Sequence, residues 1–281
     1  MRIPFTKMHG IGNDYIYIDC LTFDIPSPEN LSRAMSPRHF SVGADGIVLI
    51  CPSAVADAEM KMFNADGSEG KMCGNAIRCV GKYLYDNKLT DKTKLSIDTL
   101  SGIKHLTLYP ENGRVKEVKV AMGTASFEPK DIPVLREEKM INQPIEILGQ
   151  TYNLTAVSMG NPHAVCFLPE IDDLLLEKIG PKFENLPIFP ERVNTEFVKI
   201  IDDKTLKMRV WERGSGETYA CGTGACATVA AAVVNGVCPP DKEITVRLIG
   251  GDLKITCASD MSVTMTGEAQ KVYEGVYEYE C

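Results

Sequence analysis

Features of this 281-residue chain recur in pairs at a single, gap-free separation. Gly12-Asn13 in HGIGNDY returns as Gly160-Asn161 in SMGNPHA, and 161 − 13 = 148. Cys73-Gly74 returns as Cys221-Gly222, where 221 − 73 is again 148. Glu69 and Glu217, each four residues before its cysteine, keep the same spacing, as do Asn64 and Glu212 at the polar ends of AEMKMFN and LKMRVWE. Gly46 before IVLI pairs in the same way with Asn194 before TEFVKI. One offset shared by so many features means two copies of one domain, diverged in sequence.

Each copy carries a similar local pattern. YIYID, GIVLI, LSIDTL and VKEVKV in the first half are short β-branched or aromatic runs bounded by Gly, Pro, Asn and Asp, and they read as strands. TYNLTAV, HAVCFL, TEFVKI, KMRVW, ITVRL, LKITC and SVTMTG do the same in the second. One strong helix per half follows the cysteine. Ile77, Val80 and Leu84 fall at helical spacing in NAIRCVGKYLYDNKL. ATVAAAVVNG is apolar on every side, the mark of a helix buried all round, and Asn235-Gly236 stops it.

Composition narrows the function classes. The chain is 44% hydrophobic and 24% charged, with a formal net charge of −8 and no basic stripe, which argues against nucleic acid as partner. The longest apolar run, ACATVAAAVV, is about half of what a membrane span needs. Residues 1–15 hold no continuous apolar segment of the signal-peptide kind, so a cytoplasmic location is expected. Ten cysteines in a reducing compartment are buried hydrophobes, metal ligands or reactive thiols. Cys20, Cys51, Cys166 and Cys257 end or sit inside apolar strand-like runs and read as the first kind.

Cys73 and Cys221 read differently. Both follow a polar, glycine-rich loop (DGSEGKMCGNAIRC and RGSGETYACGTGACA) and stand at the first turn of the strong helix. A helix start offers unpaired N–H groups and the positive dipole end, which lowers a thiol's pKa and favours an anion. Either cysteine alone reads as a core residue capping an apolar helix; a symmetric pair at one offset reads as chemistry. Brought around a pseudo-twofold axis, two such thiols face one pocket. One removes an α-proton while the other delivers a proton to the opposite face, inverting the stereocentre of an amino acid. Helix N–H groups aimed at the carboxylate stabilise the developing dianion, so no pyridoxal phosphate or other cofactor is expected.

At these residues the chain resembles the diaminopimelate epimerase family over nearly its whole length. The matching motifs are KMHGIGNDY, GADGIVLI, FNADGSEGKMCGNAIRCV, SMGNPHAV, RVNTEFV and VWERGSGETYACGTGACA. The resemblance implies an α/β (α+β) fold of two pseudo-symmetric homologous domains. Each is a β-sheet or barrel wrapped around a central helix, with the active site in the cleft between them. The expected halves are residues 1–122 with 268–281, carrying Cys73, and residues 123–267, carrying Cys221. It further implies interconversion of LL- and meso-diaminopimelate with Cys73 and Cys221 as the acid/base pair. Gly74, Asn75, Gly222 and Thr223 are then expected to hold the reacting carboxylate through their backbone. Asn13, Asn64, Asn161, Asn194 and Arg213 are expected to contact the distal end, where amides suit a zwitterion and a guanidinium grips a carboxylate. Glu212 is expected to hold the reacting ammonium near Cys221, and His163 to support Cys73. The simpler readings make Asn13 and Asn161 turn residues and Glu212 a solvated carboxylate. The family also implies a homodimer through the C-terminal strand-like VYEGVYEYE, with Tyr273 as a contact.

Two positions depart from the family pattern: Ala76 stands where many relatives have a second glycine, and Asp45-Gly46 where some have a contacting glutamine. Proline racemases and hydroxyproline epimerases share the fold and the cysteine pair, but histidine rather than Asn75 is expected there. The phenazine-biosynthesis isomerases share the fold without the pair. In a different class, Cys73-x5-Cys79 and Cys221-x4-Cys226 form loose zinc-ligand spacings, though on helices rather than knuckles. GTGACA matches a nucleotide-binding glycine motif but lacks the strand that should precede it.

Overall fold

The computed structural model describes residues 1–279, which excludes Cys281 and the last glutamate of VYEGVYEYE. The chain folds into two compact units, Met1–Ala121 with Gly267–Cys281, and Met122–Thr266. The first runs β1 (Arg2–Gly10), β2 (Asn13–Asp19), α1 (Pro28–Met35), β3 (Gly46–Cys51), β4 (Ala58–Asn64), β5 (Glu69–Gly70), α2 (Gly74–Asp86), β6 (Lys94–Asp98), β7 (Lys104–Glu111) and β8 (Arg114–Thr124). The second runs β9 (Gln143–Ile147), β10 (Gln150–Ser158), β11 (Pro162–Phe167), α3 (Leu176–Glu184), β12 (Asn194–Asp202), β13 (Thr205–Glu212), β14 (Gly216–Glu217), α4 (Gly222–Val234), β15 (Glu243–Leu248), β16 (Gly251–Cys257) and β17 (Ser262–Glu268). A last strand, β18 (Gln270–Glu278), returns to the first unit.

The offset seen in the sequence is also the offset of the elements. α2 and α4 start at 74 and 222 and end at 86 and 234; β1 and β10 start at 2 and 150; β3 and β12 start at 46 and 194. Each difference is 148. Strand pairing follows suit. In the first unit β18–β1 and β1–β2 are antiparallel, β2–β3 parallel, β3–β4 and β4–β5 antiparallel, β4–β6 parallel, then β6–β7 and β7–β8 antiparallel. In the second, β9–β10, β10–β11, β11–β12, β12–β13, β13–β14, β13–β15, β15–β16 and β16–β17 repeat that sequence of orientations.

Burial explains the strand patterns. GIVLIC of β3 is buried at every position, as expected of a strand covered on both faces. Ile47 and Leu49 point into a cluster with Ile16, Ile18, Leu31 and Met35, so α1 covers that face. β2 alternates the same way: its Tyr17 hydroxyl donates to the Ala76 carbonyl of α2 at 3.1 Å. In the second unit α4 touches β10, β11, β12, β15 and β16, and Ala230, Ala231 and Ala232 are fully buried. Alanine suits this place because strands can close on a helix that has only methyl groups to offer. α3 covers the other side, where Phe183 meets Phe197 edge-on at 4.9 Å.

Two helices have no counterpart among the strong helices read from sequence. α1 begins with Pro at its start and Glu29 in its first turn, ordinary start signals on a helix of eight residues. α3 contains Gly180-Pro181, two residues that disfavour a helix interior, yet Pro181 sits inside the helix. Gly180 has a tertiary reason: a Cβ there would lie 2.2 Å from Trp211.

The enclosure of α4 predicts an asymmetric response to added volume. Ala231→Leu, at a fully buried site, should lower stability by about 1–3 kcal/mol or more. Val234→Leu, at the half-buried end of the same helix, should cost under about 1 kcal/mol. Urea unfolding of both variants checks this, and equal effects would mean that α4 is not tightly enclosed.

Candidate active site

In each unit the cysteine caps the central helix. Cys73 precedes α2 in extended conformation, and its Sγ accepts from the Ala76 N–H at 3.4 Å. Cys221 does the same for α4, accepting from the Gly224 N–H at 3.3 Å. The first backbone N–H groups of a helix lack internal partners, and a thiol satisfies one of them weakly.

In the first unit the Cys73 thiol donates to Asn13 Oδ1 at 3.2 Å. Asn13 Nδ2 donates to Asp45 Oδ2 at 2.8 Å, and Arg38 holds the other Asp45 oxygen at 2.7 Å. Asp45 therefore sets the Asn13 amide with its oxygen toward the sulfur. Gly74 and Asn75 are buried, and the fully buried Arg78 donates from Nη1 to the Gly74 carbonyl at 3.1 Å and to Asn75 Oδ1 at 2.9 Å. Asn64 ends β4 opposite Gly46 and donates to Ser68 Oγ at 3.0 Å. Gly46 is glycine for want of space: a Cβ there would meet the Phe63 carbonyl oxygen at 2.0 Å.

In the second unit Glu212 ends β13, takes a short hydrogen bond from the Thr218 hydroxyl, and is hydrogen-bonded to the Cys221 thiol. Thr223 Oγ1 lies 3.6 Å from Cys221 Sγ, and Gly222 opens α4. Asn194 is buried: its Oδ1 accepts from the Arg213 backbone N–H and its Nδ2 donates to the Pro162 carbonyl, both at 2.9 Å. The Arg213 guanidinium donates to the Glu191 carbonyl at 2.8 Å on the exposed side. His163 is fully buried, with Nδ1 2.7 Å from Glu196 Oε1 and Nε2 3.0 Å from Asn161 Oδ1.

Electrostatics correct one expectation. The helix start was expected to lower the thiol pKa, yet burial pushes Cys221 well above the ordinary thiol value of 9.0, and the Glu212 and Glu196 carboxylates add to the rise. Removing water around a sulfur penalises thiolate more than one helix start favours it. Burial likewise raises the Glu212 carboxyl, against the hydrogen bonds from Thr218 and Cys221. Asp45 is raised by burial and by its neighbour Asp14. Among the described residues no group of three or more His, Cys, Asp or Glu side chains is placed to hold a metal ion.

Residue by residue, Cys73 joins Asn13, and Gly74 joins Asn75 through Arg78. Cys221 joins Glu212 and Thr223, Asn161 joins His163, and Asn194 joins Arg213. Asn64 bonds Ser68, which was not a candidate. Asp45, Arg38, Arg78 and Glu196 are also new. Glu196 left one trace in the sequence, a carboxylate inside the otherwise apolar TEFVKI.

The sequence model of diaminopimelate epimerases matches residues 5–128 and 155–272. The chain belongs to the diaminopimelate epimerase family. It is 53% identical over 273 residues to the diaminopimelate epimerase of Acetivibrio thermocellus, covering 96% of this chain and 97% of that one. It is 54% identical over 275 residues to that of Methanococcus maripaludis strain C5, covering 97% and 99%. The fold also matches the crystal structure of a Bacillus anthracis phenazine biosynthesis protein of the PhzF family, with a TM-score of 0.73 at 18% identity, over 99% of this chain and all of that one. As a diaminopimelate epimerase family member the chain is an isomerase of mixed α/β fold acting on a small molecule. No helix among the described residues is long and apolar enough to cross a membrane.

The upward shift of Cys221 predicts its reactivity. Because only thiolate attacks an alkylating agent, iodoacetamide should modify Cys221 at least about tenfold more slowly than free cysteine at pH 8, with a rate that keeps rising with pH where that of free cysteine levels off. Peptide mass spectrometry after timed quenching reads this, and labelling of Cys221 at the free-cysteine rate would contradict the shift.

Proposed function

We propose that this diaminopimelate epimerase family member interconverts LL- and meso-diaminopimelate by a two-base mechanism, with Cys73 and Cys221 as acid and base. The observation that carries the reading is the equivalent placement of the two thiols: each caps the start of the central helix in its own copy of a duplicated unit. Inversion at carbon needs a base on one face and an acid on the other, and a duplicated fold supplies two like groups for one reaction.

The resting enzyme holds Cys221 as a thiol, because burial and two neighbouring carboxylates oppose its ionisation. In each direction one sulfur takes the α-proton as thiolate while the other, as thiol, delivers its proton to the opposite face. The sulfurs leave the turnover with their protonation exchanged, and the reverse reaction uses them in exchanged roles. The barrier is the weak acidity of a C–H beside a carboxylate. Backbone N–H groups of Gly74, Asn75, Gly222 and Thr223 hold that carboxylate where a second negative charge develops, which is the kind of fixed-dipole stabilisation that dominates many catalysed proton abstractions.

Glu212 receives the reacting ammonium beside Cys221. Asn13, Asn64, Asn161, Asn194 and Arg213 hold the distal ammonium and carboxylate, and His163 supports the site through Asn161. Asn194 still has one N–H and one lone pair beyond its two backbone bonds. The chain acts as a homodimer through β18, whose Val272, Tyr273 and Val276 side chains are exposed.

Incubation with LL-diaminopimelate in heavy water should yield the meso isomer with deuterium at the inverted carbon. Cys73→Ala and Cys221→Ala should each lower kcat by about a thousandfold or more with the fold intact by circular dichroism. Full turnover in either variant would remove the two-base scheme.

A further inference from the structure

Glu196 lies on β12, fully buried, and belongs to none of the roles assigned above. Its Oε1 is 2.7 Å from His163 Nδ1, and its Oε2 has no hydrogen-bond partner among the described residues. It presses against the first turn of α4: a Cβ on Gly224 would lie 2.6 Å from Glu196 Oε1 and 3.2 Å from Cys221 Sγ. Alanine at 224 is thus excluded by the same carboxylate that holds the histidine.

The hydrogen inventory of this cluster is constrained. Both ring nitrogens of His163 face oxygens, Glu196 Oε1 and Asn161 Oδ1, and the amide oxygen can only accept, so Nε2 carries a proton. With the Asn161 amide as it stands and Glu196 ionised, both bonds form only if the ring carries a proton on each nitrogen. The other titratable groups around the pair are Cys221 on α4 and Glu212 on β13. Neither a thiol nor a carboxyl can carry positive charge, so among these groups only the His163 ring can offer Glu196 a counter-charge. A buried carboxylate without a counter-charge is costly, which favours the paired arrangement.

We propose that Glu196 is a positioning residue for diaminopimelate recognition. Its carboxylate holds His163 as a doubly protonated ring, and the Nε2–H of that ring fixes the Asn161 amide with its oxygen inward. Asn161 Nδ2, which has no partner among the described residues, is thereby presented to substrate. The inference deepens the epimerase reading above and rests on it for the role of Asn161. The duplicated first unit has no such device: the positions 148 residues earlier than Asn161, His163 and Glu196 are Asn13, Tyr15 and Val48, and Asn13 is set by Asp45 instead.

The test has two independent readouts. In enzyme labelled with 15N-histidine, long-range 1H–15N spectra at pH 7.5 should show one of the four histidines with both nitrogens protonated, assigned to His163 by its loss in His163→Gln. A neutral-ring pattern for His163 would overturn the proposal without reference to activity. In Glu196→Gln, the ring should become neutral, and KM for diaminopimelate should rise about tenfold with kcat changed less than about threefold. Glu196→Asp, which keeps the charge, should retain the protonated ring and show a smaller rise in KM. An unchanged KM in Glu196→Gln, or a fall in kcat in its place, would overturn the positioning role. Should Glu196→Gln not fold, the wild-type spectrum and Glu196→Asp decide. A wild-type enzyme that does not epimerise diaminopimelate would defeat the functional reading, while the spectrum would still judge the Glu196–His163 pair.

Discussion

A helix enclosed by strands has nowhere to send its first backbone N–H groups, and that constraint organises both halves of this protein. At the starts of α2 and α4 the capping side chain is a cysteine, whose sulfur accepts one N–H at 3.3–3.4 Å. A sulfur is a weak acceptor, so much of the polarity of the helix start stays available. At the buried Cys221 enclosure keeps water away and makes the available polarity worth more. The same enclosure makes thiolate expensive, as the raised Cys221 shows. A helix start that attracts anions and a burial that resists ionisation are therefore one structural fact seen from the ligand and from the sulfur.

The two units share one strand order yet differ in charge at equivalent positions. Asn64 corresponds to Glu212, Val48 to Glu196, Tyr15 to His163 and Arg78 to Cys226, each pair 148 residues apart. The first unit thus places a buried guanidinium behind its helix start, bonded to Gly74 and Asn75. The second places two carboxylates near its thiol.

Outer helices serve the site by holding loops. Glu184, at the end of α3, accepts from Trp211 Nε1 at 2.8 Å, from the Gly214 N–H at 3.0 Å and from Arg192 at 2.9 Å. Those bonds tie down the turn that follows Glu212 and carries Arg213, while the ring of Trp211 packs on the bare face of Gly180. α3 contributes no candidate site residue of its own. Its contribution is to fix the backbone from which two of them project.

The duplication, the two central helices, most strands and the cysteine caps could be read from the chain, because each depends on local periodicity or on a repeated spacing. ATVAAAVV has no polar side to present to water, so burial of α4 follows from composition alone. α3 escaped because its stability comes from Trp211 and Phe197 packing across it, which outweighs the breaking tendency of Gly180-Pro181. The candidate residues could be named from motifs, but not what orients them. Asp45 beside Asn13, Arg78 beneath Asn75 and Glu196 behind His163 are contacts between residues about 3 to 33 positions apart. Protonation was the least legible property of all. A helix start read in isolation lowers a thiol pKa, and only the packed strands and carboxylates around Cys221 reverse the sign, because desolvation is a property of everything within reach of an atom rather than of its neighbours along the chain.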